Sequence, residues 1–513
     1  MMHRRVEEGA YELESSHDWV SAKHGSKSGA KIDLQRLVSE SSTKSRSPLP
    51  FSFLFSAMSP SVVAVSAPGK VLFAGGFLVL DRKHTGLVFG LNARIHAHIE
   101  PWNEPPKTLK GASILVQSPQ FVDARWLYTI SEPRGEKVAV NVTQSQDQAG
   151  FTTSSNKFVE TTLRYVLTYI SHQSEDIATN VKITILADDD YYSQSTEASK
   201  PPSSCFTSFG VKLSDAHKTG LGSSAALVSS LVSALLAFYL KAGSDAQLPH
   251  KVIHNLAQAA HCAAQGKVGS GFDVAAAVYG SCHYRRFSPP ILEAVGEPSS
   301  SGFRERLRLC VDDLDPKRKW DVEVASQAVS IPNSLILVMC DVDCGSETPG
   351  MVRNVLQWRK DKAEEANVLW NAIQQGAEEL CQELRRLADL DSIGFDGFKS
   401  LGDILLTIRS LVREMSAKSG VPVEPPAITE LLDYCTSLPG VVGGVAPGAG
   451  GYDAVALLVK NDVEVVRHLR DRLEGWKGED VSGATIGHVR LLGVKQEKEG
   501  VRTEAMGQYA GWL

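Results

Sequence analysis

The chain has 513 residues, 43% of them hydrophobic and 22% charged, and a formal charge of −6. That length exceeds one ordinary core and makes two domains the expectation. The acidic balance argues against a nucleic-acid-binding surface, whose affinity comes from clustered lysine and arginine, but it leaves room for a local basic pocket around a small anion.

Residues 1 to about 58 are rich in Ser, Lys and Glu with little hydrophobic periodicity, so they bury too little apolar surface to offset their ordering entropy. They are expected to form a disordered tail, or an extension ahead of a true start at Met58. The apolar stretch Phe51–Phe55 is too short for a signal-peptide core. Domain boundaries follow at 59–290, 291–330 (a linker or variable region), 331–500, and a tail at 501–513.

From Val62 the chain alternates strand and helix signals. Val62–Ala67 is a β-branched run ending at Pro68-Gly69, which reads as a strand closed by a turn. Further strands are expected at Val71–Phe73, Leu87–Phe89, Ile95–Ile99 and Val181–Leu186. Helical spacing covers Phe158–Ile170, Ser224–Leu240 and Lys251–Gln265. Serines interrupt the apolar run Ser224–Leu240, which suits a buried core helix rather than a membrane span. The polar, Pro-punctuated stretch Ser288–Asp315 is placed at the domain junction. Beyond it come strands at Leu335–Cys340, Ala454–Val459 and Val489–Val494, and helices at Glu347–Ala388, Leu401–Ser419 and Val463–Leu473. The mixed order favours an α+β fold over a doubly wound sheet.

Eight cysteines are scattered without a C-x-x-C pair or a His cluster at zinc spacing. They read as buried reduced thiols in a reducing, cytoplasmic compartment. The chain ends Gly511-Trp512-Leu513, which is no peroxisomal tripeptide.

Four glycine-bearing segments carry the chemistry. Lys218-Thr219-Gly220-Leu221-Gly222-Ser223-Ser224-Ala225-Ala226 runs into the apolar helix. Its glycines permit close backbone approach, and the free amides at the helix start form an anion site. Ser223 and Ser224 suit helix capping, phosphate donation or magnesium ligation alike. No G-x-x-x-x-G-K-[ST] sequence occurs, which disfavours an ordinary P-loop. Lys70, in Ser66-Ala67-Pro68-Gly69-Lys70, stands at a turn where its ammonium can reach an anion, although a solvated turn lysine fits equally. Gly443–Asp453 holds five glycines ahead of a strand, as a hairpin loop also would. Asp273 follows the glycine loop Gly266–Gly271 and opens a small-residue helix, a position the dipole favours anyway.

Together these segments resemble the GHMP kinases, the family of galactokinase, homoserine kinase and mevalonate kinase. The runs A-P-G-K-V-L-F-A-G-G-F-L-V-L-D, K-T-G-L-G-S-S-A, A-Q-G-K-V-G-S-G-F-D-V-A-A-A-V-Y-G-S and D-D-D-Y-Y-S-Q are similar to the fungal and plant phosphomevalonate kinase branch. The likeness spans about residues 61 to 495. It implies a two-domain α+β fold with the active site in the cleft between domains, ATP and Mg²⁺, and 5-phosphomevalonate as the small-molecule partner. Lys70 and Asp273 become the catalytic pair. Lys218, Gly220, Leu221, Gly222, Ser223, Ser224 and Ala225 hold the nucleotide phosphates, with Ser224 as the metal ligand. Lys267, Ser346, Thr348, Arg353, Gly448, Ala449 and Gly450 become the acceptor-binding candidates. Mevalonate kinase and galactokinase carry Glu where this chain has Gly76, and mevalonate kinase carries a magnesium-binding Glu at the position of Cys262. Both departures speak against mevalonate kinase. Diphosphomevalonate decarboxylase remains a sibling alternative, and an inactive ligand sensor is disfavoured by the presence of Lys70, Ser224 and Asp273.

Overall fold

The computed structural model describes residues 62–513, apart from 107–110, 133–137, 146–149, 174–176, 194–205, 241–248, 327–329, 343–347, 391–393 and 480–484. The N-terminal segment 1–58, Ser346, Cys205 and Cys344 therefore lie outside the described residues.

The first half runs β1 (Val63–Ala74), β2 (Gly86–Pro101), β3 (Ala112–Gln117), β4 (Arg125–Ser131), β5 (Asn141–Gln144), α1 (Lys157–Ile170), β6 (Val181–Ala187), α2 (Ser223–Tyr239), α3 (His250–Gln265) and α4 (Phe272–Tyr279). It continues with β7 (Cys282–Arg285), α5 (Pro290–Glu293), α6 (Phe303–Val311) and β8 (Glu323–Ser326). The second half holds β9 (Leu335–Val342), α7 (Thr348–Asp361), α8 (Ala363–Ala388), α9 (Lys399–Ser419), α10 (Pro426–Ser437), β10 (Val441–Val445), β11 (Ala454–Lys460) and α11 (Val463–Leu473). The chain closes with β12 (Gly478–Glu479), β13 (Thr485–Ile486), β14 (Val489–Leu491), β15 (Gln496–Glu497) and β16 (Arg502–Thr503).

Two larger sheets and the β12-β13 pair hold the described strands, and the fold is α+β. The larger sheet has the order β16-β1-β2-β6-β3-β4-β5, with β15 and β7 also on β2 and β8 on β7. The smaller has the order β10-β11-β9-β14. Helix α2 packs against β1 and β2 on one side and α1 and α3 on the other. That position explains why it is apolar nearly all round, with even Ser229 and Ser230 fully buried.

Three expectations change. First, β1 does not stop at Pro68-Gly69 but continues to Ala74, with a register shift between these two residues. A bulge accommodates a residue that lacks an amide donor without ending the strand, so Lys70 stands on a strand rather than at a turn. Likewise β2 is one strand where two short ones were expected. Second, Ser288–Asp315 is not a bare polar junction. Phe303, Leu307, Cys310 and Val311 recur at helical spacing and are buried on α6, which packs on α1 and α3. Third, the stretch beyond Val494 returns to the first sheet. β16 pairs with β1, Tyr509 is fully buried, and Arg94 sends its guanidinium to the Gly500 carbonyl. The six described cysteines are all free and buried, as anticipated.

Candidate active site

Strand β1 delivers Lys70 directly to the start of α2. Its amide donates to the Leu221 carbonyl at 2.8 Å, and its Nζ donates to the Gly220 carbonyl at 3.2 Å. The stem lies so close to Gly222 that a Cβ there would sit 2.9 Å from Lys70 Cε. Gly222 has φ 83° and is itself the N-cap of α2, with no side-chain capping bond. Ser223 and Ser224 are therefore inside the first helical turn rather than capping it. No side-chain bond caps the leading amides at the positive end of this 17-residue helix. Beside them, Thr219 is pinned to the Asp190 carbonyl through its hydroxyl at 2.5 Å and to the Tyr191 carbonyl through its amide at 3.2 Å. The Asp188–Ser193 segment is thus a brace for the loop: Asp188 Oδ2 accepts the Arg94 amide at 2.8 Å and Asp190 Oδ1 accepts the Gly493 amide at 2.8 Å.

The next wall is the turn from α3 into α4. Asp273 sits in the first turn of α4, where Oδ1 accepts the Val274 amide at 3.0 Å and Oδ2 lies 3.8 Å from His261 Nε2. Burial lowers the Lys70 ammonium pKa from its ordinary value, and the Asp273 carboxylate opposes that shift. Phe272 adds a ring whose centroid is 5.8 Å from Nζ. Arg286 secures the intervening loop. Its guanidinium donates to the carbonyls of Gly269 (2.8 Å), Val268 (3.1 Å) and Leu80 (2.7 Å).

The third wall comes from the second half. The Gly448 amide donates to the Leu72 carbonyl at 2.9 Å, and the Gly451 amide to the Val423 carbonyl at 2.9 Å. A Cβ on Gly450 would collide with the Val423 carbonyl, which accounts for the glycine. Between these walls lies a cavity of about 370 Å³, lined by Lys70, Gly220, Gln258, His261, Gln265, Lys267, Asp273, Gly448, Ala449 and Gly450 among others. A larger groove of about 790 Å³ lies on the far side of α3 and shares only Cys262 and Lys267 with it. The catalytic candidates line the smaller space.

Of the expected residues, Lys70, Gly220, Lys267, Asp273, Gly448, Ala449 and Gly450 line this cavity, whereas Leu221, Gly222, Ser223, Ser224 and Ala225 are not part of its lining. Lys267 lines the cavity, and Gly448, Ala449 and Gly450 close it. Lys218 is exposed beside the loop, bridging through its backbone to Tyr192, and does not line the cavity. Arg353 is exposed on α7 while its neighbour Val352 lines the space. Thr348 begins α7 and is described by its backbone alone. Sequence reasoning missed Gln258, His261, Gln265 and Arg286. The first three had a signal: polar residues at i, i+3 and i+7 form a stripe on a helix that is otherwise buried.

The family model for the GHMP kinases N terminal domain matches residues 209–281, the stretch holding both the phosphate loop and Asp273. Phosphomevalonate kinase erg8 of Aspergillus fumigatus is 48% identical over 486 residues, covering 88% of this chain and 99% of its own. Phosphomevalonate kinase ERG8 of Gibberella zeae is 47% identical, covering 88% of this chain and 98% of its own. The chain belongs to the phosphomevalonate kinases of the GHMP kinase family.

Solved structures agree on the fold of this GHMP kinase. A Lin0012 protein from Listeria innocua aligns with a TM-score of 0.59 at 18% identity, covering 86% of this chain and 99% of that one. Phosphomevalonate kinase of Streptococcus pneumoniae in complex with phosphomevalonate and AMPPNP gives 0.53 at 15% identity, covering 80% and 95%. Three glycine-bearing segments thus line one cavity.

Proposed function

We propose that the chain transfers the γ-phosphoryl group of ATP to 5-phosphomevalonate, giving ADP and 5-diphosphomevalonate for isoprenoid synthesis. The observation that carries this reading is the convergence of Lys70, Asp273 and the Thr219-Gly220 end of the loop that leads into α2 on one cavity. Phosphoryl transfer is largely positioning and charge neutralisation, and here both reactants are polyanions. The amides of Gly220 to Ala225 take the nucleotide phosphates. Lys70, within reach of that loop, bridges the transferring group and the acceptor oxygen. A phosphate monoester has its second pKa near about 6, so the acceptor is already largely deprotonated at neutral pH. Asp273 is then needed less as a general base than as the carboxylate that keeps Lys70 charged and aimed.

Among the described residues no group of three or more His, Cys, Asp or Glu side chains could hold a metal ion. The Ser224 hydroxyl, at the head of α2, fits a magnesium ion bound mainly through phosphate oxygens and water. When bound, that ion neutralises charge on the β- and γ-oxygens. Lys267 is the cavity cation best placed for the acceptor's phosphate or carboxylate. Lys218, Arg353, Ser346 and Thr348 are further acceptor-binding candidates from flanking segments. We also read residues 59–290 as the nucleotide half and 331–500 as the acceptor half, in a cytoplasmic enzyme.

The test is ADP release by the purified protein with 5-phosphomevalonate, against mevalonate as control. Turnover with the first and none with the second is expected. Turnover with mevalonate alone would move the chain to a sibling activity.

A further inference from the structure

His261 has no part in the mechanism so far, yet it touches more of the site than any other side chain of α3. It is 1% exposed. Its Nε2 lies 3.1 Å from Ser224 Oγ on α2 and 3.8 Å from Asp273 Oδ2 on α4. The Gln265 amide nitrogen approaches the same ring nitrogen at 3.5 Å. Phe158 of α1 stacks on the ring, with centroids 5.6 Å apart and planes 29° from parallel. Residues of α1, α2 and α4, with Gln265 of α3 itself, thus surround one imidazole between Ser224 and Asp273.

A serine hydroxyl has one proton and two lone pairs, and it can present a lone pair to a cation only if its proton goes elsewhere. The nearest acceptor the structure offers Ser224 is His261 Nε2. We propose that His261 is a positioning residue: its Nε2 accepts the Ser224 proton, which turns the Ser224 lone pairs toward the nucleotide phosphates and their magnesium. This rests on Ser224 facing that group. The role works through Ser224, so it differs from a contact with either substrate.

Three variants and one double variant test it, with His261→Asn replacing His261→Leu should the latter not fold. His261→Leu keeps apolar contact with Phe158 but removes the acceptor. His261→Gln restores a polar atom near Nε2. Ser224→Ala removes the hydroxyl itself. Two quantities are read: kcat, and the tightening of AMPPNP binding by Mg²⁺, measured by calorimetry on the intact protein without turnover. His261→Leu is expected to lose at least about tenfold in kcat, the worth of one well-placed hydrogen bond in a dry site, and to lose most of the Mg²⁺-dependent tightening. His261→Gln should stay within about fivefold of wild type. The double variant should be no worse than Ser224→Ala alone, because residues acting as a unit are not additive. Additive losses in the double variant, or His261→Gln as impaired as His261→Leu, would overturn the proposal. So would wild-type Mg²⁺ tightening in His261→Leu. Wild-type behaviour of Ser224→Ala beside an impaired His261→Leu would instead remove Ser224 from the phosphate site, and this role with it, while leaving phosphomevalonate turnover intact.

Discussion

Lys70 is held where its charge is costly. Burial lowers its pKa, the carboxylate of Asp273 only partly offsets this, and the ammonium's one bonded acceptor is a loop carbonyl. The sign of the consequence follows from linkage. With the folded pKa below the unfolded one, the penalty is fully present below the folded pKa and is relieved as pH rises toward about 10.4. Lys70→Met is therefore expected to raise the Tm at neutral pH while lowering kcat by roughly 10²- to 10⁴-fold, the range for losing an electrostatic clamp on a transition state. Calorimetry and ADP release on the same preparation check both halves. A lower Tm would contradict the burial account. Asp273→Asn should lose less activity than Lys70→Met, since the acceptor needs little proton removal. Lys70 and Asp273 were legible in the sequence because each is tied to a glycine run that announces a main-chain approach. Arg286 was not, and His261 showed only as one member of a polar stripe on α3. Neither acquires a role until the fold brings in partners such as Leu80 for Arg286 and Ser224 for His261.

At the scale of elements, the site is three glycine turns fastened by single side chains. Gly222 has no room for a methyl group against the Lys70 stem and holds a left-handed φ. Gly222→Ala should cost about 1–3 kcal/mol in stability and raise the KM for ATP, measured by denaturant titration and by kinetics. Arg286 ties the 268–269 carbonyls to that of Leu80. Arg286→Ala leaves these acceptors unmet and lets the Lys267 loop drift. A rise of roughly tenfold in the acceptor KM, with ATP binding little changed, is the expected split, on the scale of one or two lost charge-assisted bonds. Equal losses for both substrates would place Arg286 outside the acceptor side. Helices with strong periodicity, such as α1, α2 and α3, were read from the sequence to within a residue or two. Helices α5 and α6 were hidden because Pro289, Pro290, Pro298 and many charges mask a narrow apolar stripe. The long strands β1 and β2 were fragmented in the reading because each carries a bulge that breaks the period of two.

At the scale of the molecule, buried charge fastens the second half to the glycine turn it contributes. Arg409 and Glu424 are almost fully enclosed, 2.8 Å apart, and Arg413 reaches the same carboxylate oxygen at 2.9 Å. Val423, next to Glu424, accepts the Gly451 amide. Glu424→Ala strands a buried guanidinium, and a loss of about 3–5 kcal/mol is expected by denaturant titration. A change under about 1 kcal/mol would show that Asp433, which also reaches Arg409 at 2.8 Å, suffices alone. No sequence pattern marks these two residues as partners, because the pairing depends on how α9 and α10 fold back.

Strand β16 returns to β1 with 438 residues separating Ser66 from its partner Glu504. On a ribosome adding about 5–20 residues per second, that interval lasts roughly 20–90 s. Throughout it, the edge of β1 that will receive β16 lacks its partner and Arg94 lacks the Gly500 carbonyl. The nascent first half is thus an open-edged intermediate for most of the chain's synthesis, a natural client for chaperones. A fragment released before β16 emerges inherits that open edge permanently.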